Sequence, residues 1–240
     1  MSAGAPDFFY KEAQRLRYVA RSAFKLLEMQ KKYGIIKPGA SVLDLGCAPG
    51  AWLQVACQNL GSYKQGGAII GVDVKKVKVP VHHCDNRVQT VCADVMKISS
   101  NSLNALSPMG KGYKVILSDM CPAVSGIATR DSALSAELGR RALDFSLGHF
   151  LENDDDETAN KRHKEGFDGA QHQEEKFGIL LPGGNVIIKL LEGEESQVAG
   201  IFQLCKGHFK LCTWFRPKAT RSSSREIYLI GKGRENNVNQ

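Results

Sequence analysis

Residues 42–52 read VLDLGCAPGAW, an apolar run followed by a glycine-containing turn and a second apolar segment. This pattern predicts a buried strand, a tight turn and the start of a helix, where backbone amides can approach a ligand. The stretch is neither a GxGxxG loop nor a Walker A loop. It lacks the lysine and Ser/Thr that would cradle a triphosphate. It therefore predicts an α/β fold whose ligand is not a triphosphate.

The alternation of β and α patterns continues on both sides of this loop. Apolar runs separated by stretches long enough for helices predict a doubly wound, mostly parallel sheet with strands at 41–46, 68–74, 88–95, 113–120 and 184–191. Helices are expected at about 132–150 and 196–205. Runs 209–215 and 225–231 are too close for a helical crossover, so we expect the sheet to end in an antiparallel pair.

Length and composition favour one domain over residues 1–240. The 42% of hydrophobic residues can form a substantial core. Residues 152–176 are almost wholly polar with an acidic cluster, and we interpret them as a mobile insertion.

The cysteines are scattered without a CxxC pair, which indicates a reducing compartment. The HHC sequence at 82–84, taken with Cys92, matches no standard zinc spacing, so no metal site is predicted.

A formal charge of +7 favours a polyanionic partner, without choosing between RNA and DNA. Apolar residues from Val19 to Leu27 recur at helical spacing, while Arg17, Arg21 and Lys25 lie four residues apart on another stripe. We interpret this segment as an amphipathic helix with one basic edge, the alternative being a solvated charged face.

No run of 18 apolar residues occurs, so no membrane span or membrane partner is predicted.

Carboxylates follow two consecutive predicted strands. Asp73 ends the second strand, where it can accept hydrogen bonds from both hydroxyls of a ribose, and Asp94 lies just beyond the third, near where an adenine would lie. Each residue alone is more typical of a cap or a turn. Together at the carboxyl edge of the sheet, they indicate a nucleoside site. Lys189 is also unusual, because it interrupts the apolar run of the strand at 184–191.

Four separated segments resemble, in order, the FtsJ-type 2′-O-ribose RNA methyltransferases. They are YVARSAFKLLEMQKKYGIIKPGASVLDLGCAPGAWLQVA from residue 18, VILSDMCPAVSG from 115, PGGNVIIKLLEG from 182 and KATRSSSREIYLIG from 218. The resemblance runs from about residue 7 to 233, broken by the insertion. Within the family, the sequence is most similar to the branch that methylates large-subunit rRNA, which includes mitochondrial members.

The resemblance implies a class I Rossmann-like methyltransferase fold and S-adenosylmethionine as cofactor. The residues implied for the cofactor are Gly46, Pro49, Gly50, Trp52, Asp73, Asp94 and Asp119. The catalytic Lys-Asp-Lys-Glu set of the family falls on Lys25, Asp119, Lys189 and Glu226. Cys47, Ala51 and Cys121 stand where relatives often have alanine, glycine and alanine.

Transfer of a methyl group to a ribose hydroxyl requires alignment of the reactants and removal of the hydroxyl proton. Lys189 is the expected base, with its pKa lowered by dry surroundings and by the neighbouring Lys25. Asp119 and Glu226 favour the ammonium form, so we expect them to orient the lysines and the substrate. Cations that flank the site in sequence are expected to contact RNA phosphates: Arg15, Arg17, Arg21, Lys31, Lys32, Arg216, Lys218, Arg221 and Arg225.

We therefore expect an enzyme that methylates a ribose 2′-hydroxyl of RNA, with a uridine of large-subunit rRNA as the predicted target. A tRNA methyltransferase of the same family, and an inactive RNA-binding ribosome-assembly factor, are the main alternatives. A small-molecule methyltransferase on the same fold is a third. We expect a monomer. The family resemblance suggests a mitochondrial location, although the sequence shows no clear transit peptide.

Overall fold

The computed structural model describes residues 8–148, 178–193 and 195–235. The predicted insertion at 152–176 lies outside the described residues. The helices are α1 (Phe8–Arg15), α2 (Ala23–Tyr33), α3 (Ala51–Asn59), α4 (Ser100–Ala105), α5 (Ala128–Leu147) and α6 (Glu195–His208). The strands are β1 (Ser41–Leu45), β2 (Ala68–Asp73), β3 (Val88–Cys92), β4 (Tyr113–Ser118), β5 (Leu180–Leu191), β6 (Phe209–Phe215) and β7 (Glu226–Arg234).

The strands form one seven-stranded sheet in the order β3-β2-β1-β4-β5-β7-β6. Strands β1 to β5 are parallel to one another, whereas β7 pairs antiparallel with both β5 and β6. The antiparallel end of the sheet is confirmed, and β7 is the strand that runs against the others. The strand order reverses direction between β1 and β4, and ligands of open α/β sheets bind in the crevice at such a reversal.

Apolar residues alternate between the two faces of the sheet, because successive side chains of a strand point in opposite directions. On one face, residues such as Val42 and Ile187 pack against α2 and α3. On the other face, residues such as Leu43 and Ile188 pack against α5 and α6. Burial on both faces explains why the strands are continuous apolar runs, as expected of a doubly wound fold.

Two predicted elements differ from the structure. Arg17 and Arg21 do not lie on one helix with Lys25, because residues 16–22 form a turn and α2 begins only at Ala23. Strand β5 begins at Leu180 rather than at 184. Its register against β4 shifts, since Tyr113 pairs with Leu180 and Val115 with Asn185, so the Pro-Gly-Gly sequence between them bulges within the strand.

Helix α5 begins and ends a few residues before the predicted 132–150, and α6 extends three residues beyond the predicted end at 205. Such shifts at helix ends are common. None of the helices within the described ranges is long and apolar enough to cross a membrane.

Candidate active site at the carboxyl edge of the sheet

The loop after β1 lies in the crevice between β1 and β4. Gly46 has a φ of +77°, and a Cβ added to it would lie 2.9 Å from the Cα of Met120, which follows β4. Its amide donates to the Val72 carbonyl at 2.8 Å. Only glycine fits both the backbone angle and the close approach. The loop is therefore held against β2 and against the segment after β4.

A cavity of about 340 Å³ opens at this point. Its lining combines loop backbone, carboxylates and apolar side chains: Gly46, Ala48, Asp73, Val74, Lys75, Asp94, Val95, Met96, Asp119, Met120, Cys121 and Leu138. The volume falls in the range of about 300–1,000 Å³ that is usual for small-molecule sites. We call this space the first cavity. It contains three of the carboxylates that the sequence indicated.

Asp73 and Asp94 are fixed by backbone amides. The Asp73 carboxylate accepts from the amide of Ala48 at 2.9 Å and from that of Lys75 at 2.9 Å. The Asp94 carboxylate accepts from the Met96 amide at 3.0 Å. Each carboxylate oxygen can accept more than one hydrogen bond, so both residues keep acceptor capacity toward the cavity.

The other residues predicted for the cofactor loop lie outside the lining of the first cavity. Gly50 precedes α3 with a φ of +107°, and Pro49 is exposed. Trp52 is buried: its Nε1 donates to the Ser22 carbonyl at 3.0 Å, and its ring centroid lies 5.9 Å from that of Tyr228. Trp52 therefore connects α3 to the turn before α2 and to Tyr228 on β7.

Four charged residues predicted to act together lie in two ion pairs. Lys189, on β5, places Nζ 3.2 Å from Oδ1 of Asp119 and donates to the Asp119 carbonyl at 2.5 Å. Lys25, on α2, forms an ion pair with Glu226 at the start of β7. Both lysines are buried, with 8% of Lys25 and 5% of Lys189 exposed. A buried ion pair offsets the cost of desolvation only when its geometry is close and further hydrogen bonds satisfy the charged groups.

Tyr228 joins the two pairs into one cluster. Its hydroxyl donates to Oδ1 of Asp119 at 2.9 Å, and its ring centroid lies 5.8 Å from Nζ of Lys25. The side chain is fully buried. Tyr228 was not singled out from the sequence, where it is one more apolar residue of a strand. We call Lys25, Asp119, Lys189, Glu226 and Tyr228 the charged cluster.

The predicted lowering of the Lys189 pKa is wrong for the protein without bound ligands. Burial alone would lower the pKa of Lys189, but Asp119, Cys121 and Glu226 raise it by more, so the pKa is raised above the ordinary value. For Glu226, burial raises the pKa and Lys25 lowers it by more, so the pKa of this carboxyl is lowered. At neutral pH, Lys189 is therefore an ammonium group and Glu226 a carboxylate.

Asp44 is a second residue that sequence reasoning missed. It lies on β1, has no exposed surface, and neither carboxylate oxygen has a hydrogen-bond partner among the described residues. Burial raises the pKa of Asp44 well above its ordinary value, and the nearby Asp119 and Asp73 raise it further. In the sequence, the only sign of this buried carboxylate was an aspartate inside an apolar strand.

The cations predicted to contact RNA have different surroundings. Arg15 is paired with Glu12, and Lys32 lies 4.6 Å from the centroid of the Phe215 ring. Arg216 and Arg225 donate to backbone carbonyls around residues 192 and 226, so they stabilise the loop before β7. Among the predicted RNA contacts, Arg21 and Arg221 are the two that line a second cavity, beside Lys25.

Residues 18–234 match the family described as FtsJ-like methyltransferase. The chain belongs to this family. As an FtsJ-like methyltransferase it has the predicted fold class, with a mostly parallel sheet and an antiparallel C-terminal strand. The family resemblance seen in the sequence is confirmed.

Curated relatives cover nearly the whole chain. A protein of Desulfosudis oleivorans named "Ribosomal RNA large subunit methyltransferase E" is 33% identical over 94% of this chain and 89% of its own. One of the same name from Syntrophobacter fumaroxidans is 34% identical over 96% and 97%. Among solved structures, a ribosomal RNA methyltransferase of Plasmodium falciparum is 26% identical, with a TM-score of 0.64, over 90% of this chain and 98% of its own.

Proposed function

We propose that this FtsJ-like methyltransferase transfers the methyl group of S-adenosylmethionine to a ribose 2′-hydroxyl of RNA, most specifically a uridine of large-subunit rRNA. The observation that carries the proposal is the charged cluster, in which two buried lysines are each paired with a carboxylate beside the first cavity. The relatives named for large-subunit rRNA support the choice of RNA.

The first cavity fits the proposed cofactor. Its carboxylates, Asp73 and Asp94, are suited to the hydroxyls and the amino group of a nucleoside, while Val95, Met96 and Leu138 offer an apolar surface to a base. The absence of a side chain at Gly46 keeps the loop backbone close to Met120. S-adenosylmethionine supplies an electrophilic methyl group on a sulfonium, which is already a good leaving group.

The residues of the charged cluster then have separate roles. Asp119 lines the first cavity and holds Lys189, so the lysine is fixed next to the place where the methyl group is offered. We assign to Lys189 the removal of the 2′-hydroxyl proton after its ammonium group has released a proton to solvent, a step worth about 10²- to 10⁴-fold in rate. Lys25 and Glu226 orient the ribose from the other side. Alignment of the reactants supplies the rest of the acceleration.

Methyl transfer from labelled S-adenosylmethionine tests this function directly. Large-subunit rRNA, assembled large subunits and tRNA, all taken from cells that lack this protein, are offered separately, and the labelled nucleotide is identified by mass spectrometry. We expect label on a ribose of rRNA. Label on tRNA alone would identify tRNA, rather than rRNA, as the substrate. No label, with S-adenosylhomocysteine still bound in calorimetry, would favour the assembly-factor alternative.

Three further properties belong to this proposal. A single domain over residues 1–240, a monomeric state and a mitochondrial site of action are all predictions from the sequence. Sedimentation of the purified chain tests the second, and imaging of a fluorescent fusion in its own cells tests the third.

A further inference from the structure

Two cysteines meet where the end of α6 faces the edge strand β6. Cys205 lies on α6 and has no exposed surface, whereas Cys212 lies on β6 and is partly exposed. The Cys212 thiol donates to the carbonyl of Phe202, one turn before Cys205 on α6, across 3.8 Å. The Cys205 thiol in turn donates to the sulfur of Cys212. We call Cys205 and Cys212 the cysteine pair.

Gly231 on β7 makes room for this contact. It pairs directly with Cys212 across the antiparallel strands, so the two positions face the same side of the sheet. A Cβ added to Gly231 would lie 3.0 Å from the Sγ of Cys205 and 2.8 Å from a methyl group of Val186. Any larger residue would therefore displace the sulfur. The absence of a side chain lets Cys205 lie over β7, next to Cys212.

The two thiols of the cysteine pair differ in their readiness to lose a proton. The hydrogen bond from Cys205 lowers the pKa of Cys212, burial raises this pKa by less, and Lys206 lowers it further. The same hydrogen bond, together with burial, raises the pKa of Cys205. Because the thiolate is the reactive form of cysteine, Cys212 is the member suited to attack an oxidant. Cys205 is placed to react with it afterwards.

Another pair of neighbouring cysteines lacks this difference. Cys57 on α3 and Cys84 in the loop before β3 are close enough to affect one another. Burial raises the pKa of Cys57, and it raises the pKa of Cys84 to about 12. Both are therefore thiols at neutral pH, and thiols react slowly with oxidants. We call Cys57 and Cys84 the comparison pair.

We infer that the cysteine pair is a reversible oxidation site that takes a peroxide as its oxidant. The Cys212 thiolate attacks a peroxide oxygen, the O–O bond breaks, and Cys212 becomes a sulfenic acid. The hydroxide that leaves takes up the proton that Cys212 had released. The Cys205 sulfur then attacks the Cys212 sulfur, the S–S bond forms, and the sulfenic hydroxyl leaves as water with the Cys205 proton. Two thiols are oxidised, and hydrogen peroxide is reduced to two molecules of water.

A small thiol such as glutathione reverses the reaction. It attacks the disulfide, and a second molecule releases the protein thiol and oxidised glutathione. Formation of the disulfide links α6 to β6 and protects Cys212 from further, irreversible oxidation. The cysteine pair lies at the β6 edge of the sheet, whereas the first cavity lies between β1 and β4. The inference therefore goes beyond the proposed function and does not rest on it.

Peptide mapping after mild oxidation tests the site, because trypsin cuts between the two cysteines at Lys206 and Lys210. A disulfide would join peptide 190–206 to peptide 211–218. The reduced full-length protein is treated with a stoichiometric amount of hydrogen peroxide, and the remaining thiols are blocked before digestion. We expect this linked peptide, which should disappear on reduction. Its yield should exceed that of a peptide joining the comparison pair by about tenfold or more.

Single variants show which thiol reacts first. In Cys205→Ser, a hydroxyl can still donate to Cys212 but no disulfide can form, so we expect Cys212 to accumulate as a sulfenic acid that dimedone traps. In Cys212→Ser, we expect Cys205 to remain a thiol. Cys92→Ser, which removes an exposed thiol outside the pair, is the matched control and should leave the yield of linked peptide unchanged. Calorimetry with S-adenosylhomocysteine shows whether each variant remains folded.

Absence of the linked peptide in the oxidised wild type would overturn the inference. Equal yields from the cysteine pair and the comparison pair would also overturn it, because proximity alone would then explain both. Equal trapping of Cys205 and Cys212 by dimedone in the two variants would contradict the roles assigned to them. None of these outcomes depends on methyl transfer, so they leave the test of the proposed function separate.

Discussion

At the scale of single residues, Lys189 shows how one position is controlled by opposing effects. The buried strand position lowers the pKa of its ammonium group, and the nearby Asp119, Cys121 and Glu226 raise the pKa by more. A cation in a strand interior is stable only because Asp119 compensates it at 3.2 Å. In the protein without ligands, Lys189 is therefore an ammonium group, and it must lose a proton before it can act as a base.

Lys189→Ala should reduce single-turnover methyl transfer by roughly two orders of magnitude or more, with the affinity for S-adenosylhomocysteine nearly unchanged. Lys189→Arg should not restore the rate, because a guanidinium stays protonated. Quenched reactions with labelled cofactor and rRNA measure the rate, and calorimetry is the control. If Lys189→Arg keeps most of the wild-type rate, the residue acts as a fixed positive charge.

The rate should also increase with pH. Because the pKa of Lys189 is raised, the neutral form is a small fraction near pH 7, and this fraction grows about tenfold for each unit of pH below the pKa. We expect the rate of the chemical step to rise through pH 7 to 9 without a plateau near neutrality. Single-turnover measurements at constant ionic strength test this. A flat profile would exclude removal of the proton by Lys189.

Asp44→Asn should stabilise the protein at neutral pH. Burial raises the pKa of Asp44 in the folded state, so folding takes up a proton, and this contribution to stability is lost as pH rises above the unfolded pKa. Asparagine does not titrate, so its contribution to stability does not fall as the pH rises. The midpoint of thermal unfolding should therefore exceed that of wild type by a margin that grows from pH 4.5 to pH 7.5. About 2–4 °C corresponds to each 1 kcal/mol at this size. An equal margin at every pH would show that Asp44 is already ionised when folded.

At the scale of elements, contacts between distant segments decide what the local pattern could not. The strands were predicted well because their apolar runs are buried on both faces. The start of α2 was predicted wrongly, because Gln54 on α3 holds the preceding turn. Its side chain accepts from the Val19 amide at 2.8 Å and donates to the Arg17 carbonyl at 2.9 Å. Helical spacing of residues 17–25 carries no information about this partner.

The segment after β4 is held by α5, and this anchoring should affect catalysis. The Asp131 carboxylate, buried in α5, accepts from the amide and the hydroxyl of Ser125 at 2.7 Å each, and Arg225 lies 3.6 Å away. Asp119 begins the anchored segment. Asp131→Ala should therefore lower kcat about tenfold or more by misplacing Asp119 and Lys189.

Thr129→Ala, an exposed change in the same helix, is the matched control for Asp131→Ala and should leave kcat unchanged. Hydrogen exchange of residues 120–127 should be faster in Asp131→Ala than in either wild type or the control. Faster exchange with an unchanged kcat would mean that the loop and the reacting groups are not coupled.

At the scale of the whole molecule, the reversal of strand order between β1 and β4 brings the predicted residues together. Positions at strand ends were sufficient to indicate Asp73 and Asp94, and the family resemblance supplied Lys25, Asp119, Lys189 and Glu226, whereas Tyr228 was not singled out. The second cavity could not be predicted, because its two sides come from residues 21–25 and 219–226, about 200 positions apart. The sign of the Lys189 pKa shift depends on distances that a sequence does not contain.

Deletion of residues 154–174 should leave folding and cofactor binding largely intact. The flanking residues meet in space: the Ile179 amide donates to the Phe145 carbonyl at 2.7 Å, and a Cβ on Gly178 would lie 2.7 Å from the Gly148 nitrogen. The removed sequence is almost wholly polar and can bury little apolar surface, while shortening a long connection changes its closure entropy by roughly 0.6 kcal/mol per halving. We expect a thermal midpoint within about 3 °C of wild type, at about 2–4 °C per kcal/mol, and the same affinity for S-adenosylhomocysteine. Insoluble protein, or a large fall in the midpoint, would show that the segment packs against the domain and that its composition misled the prediction.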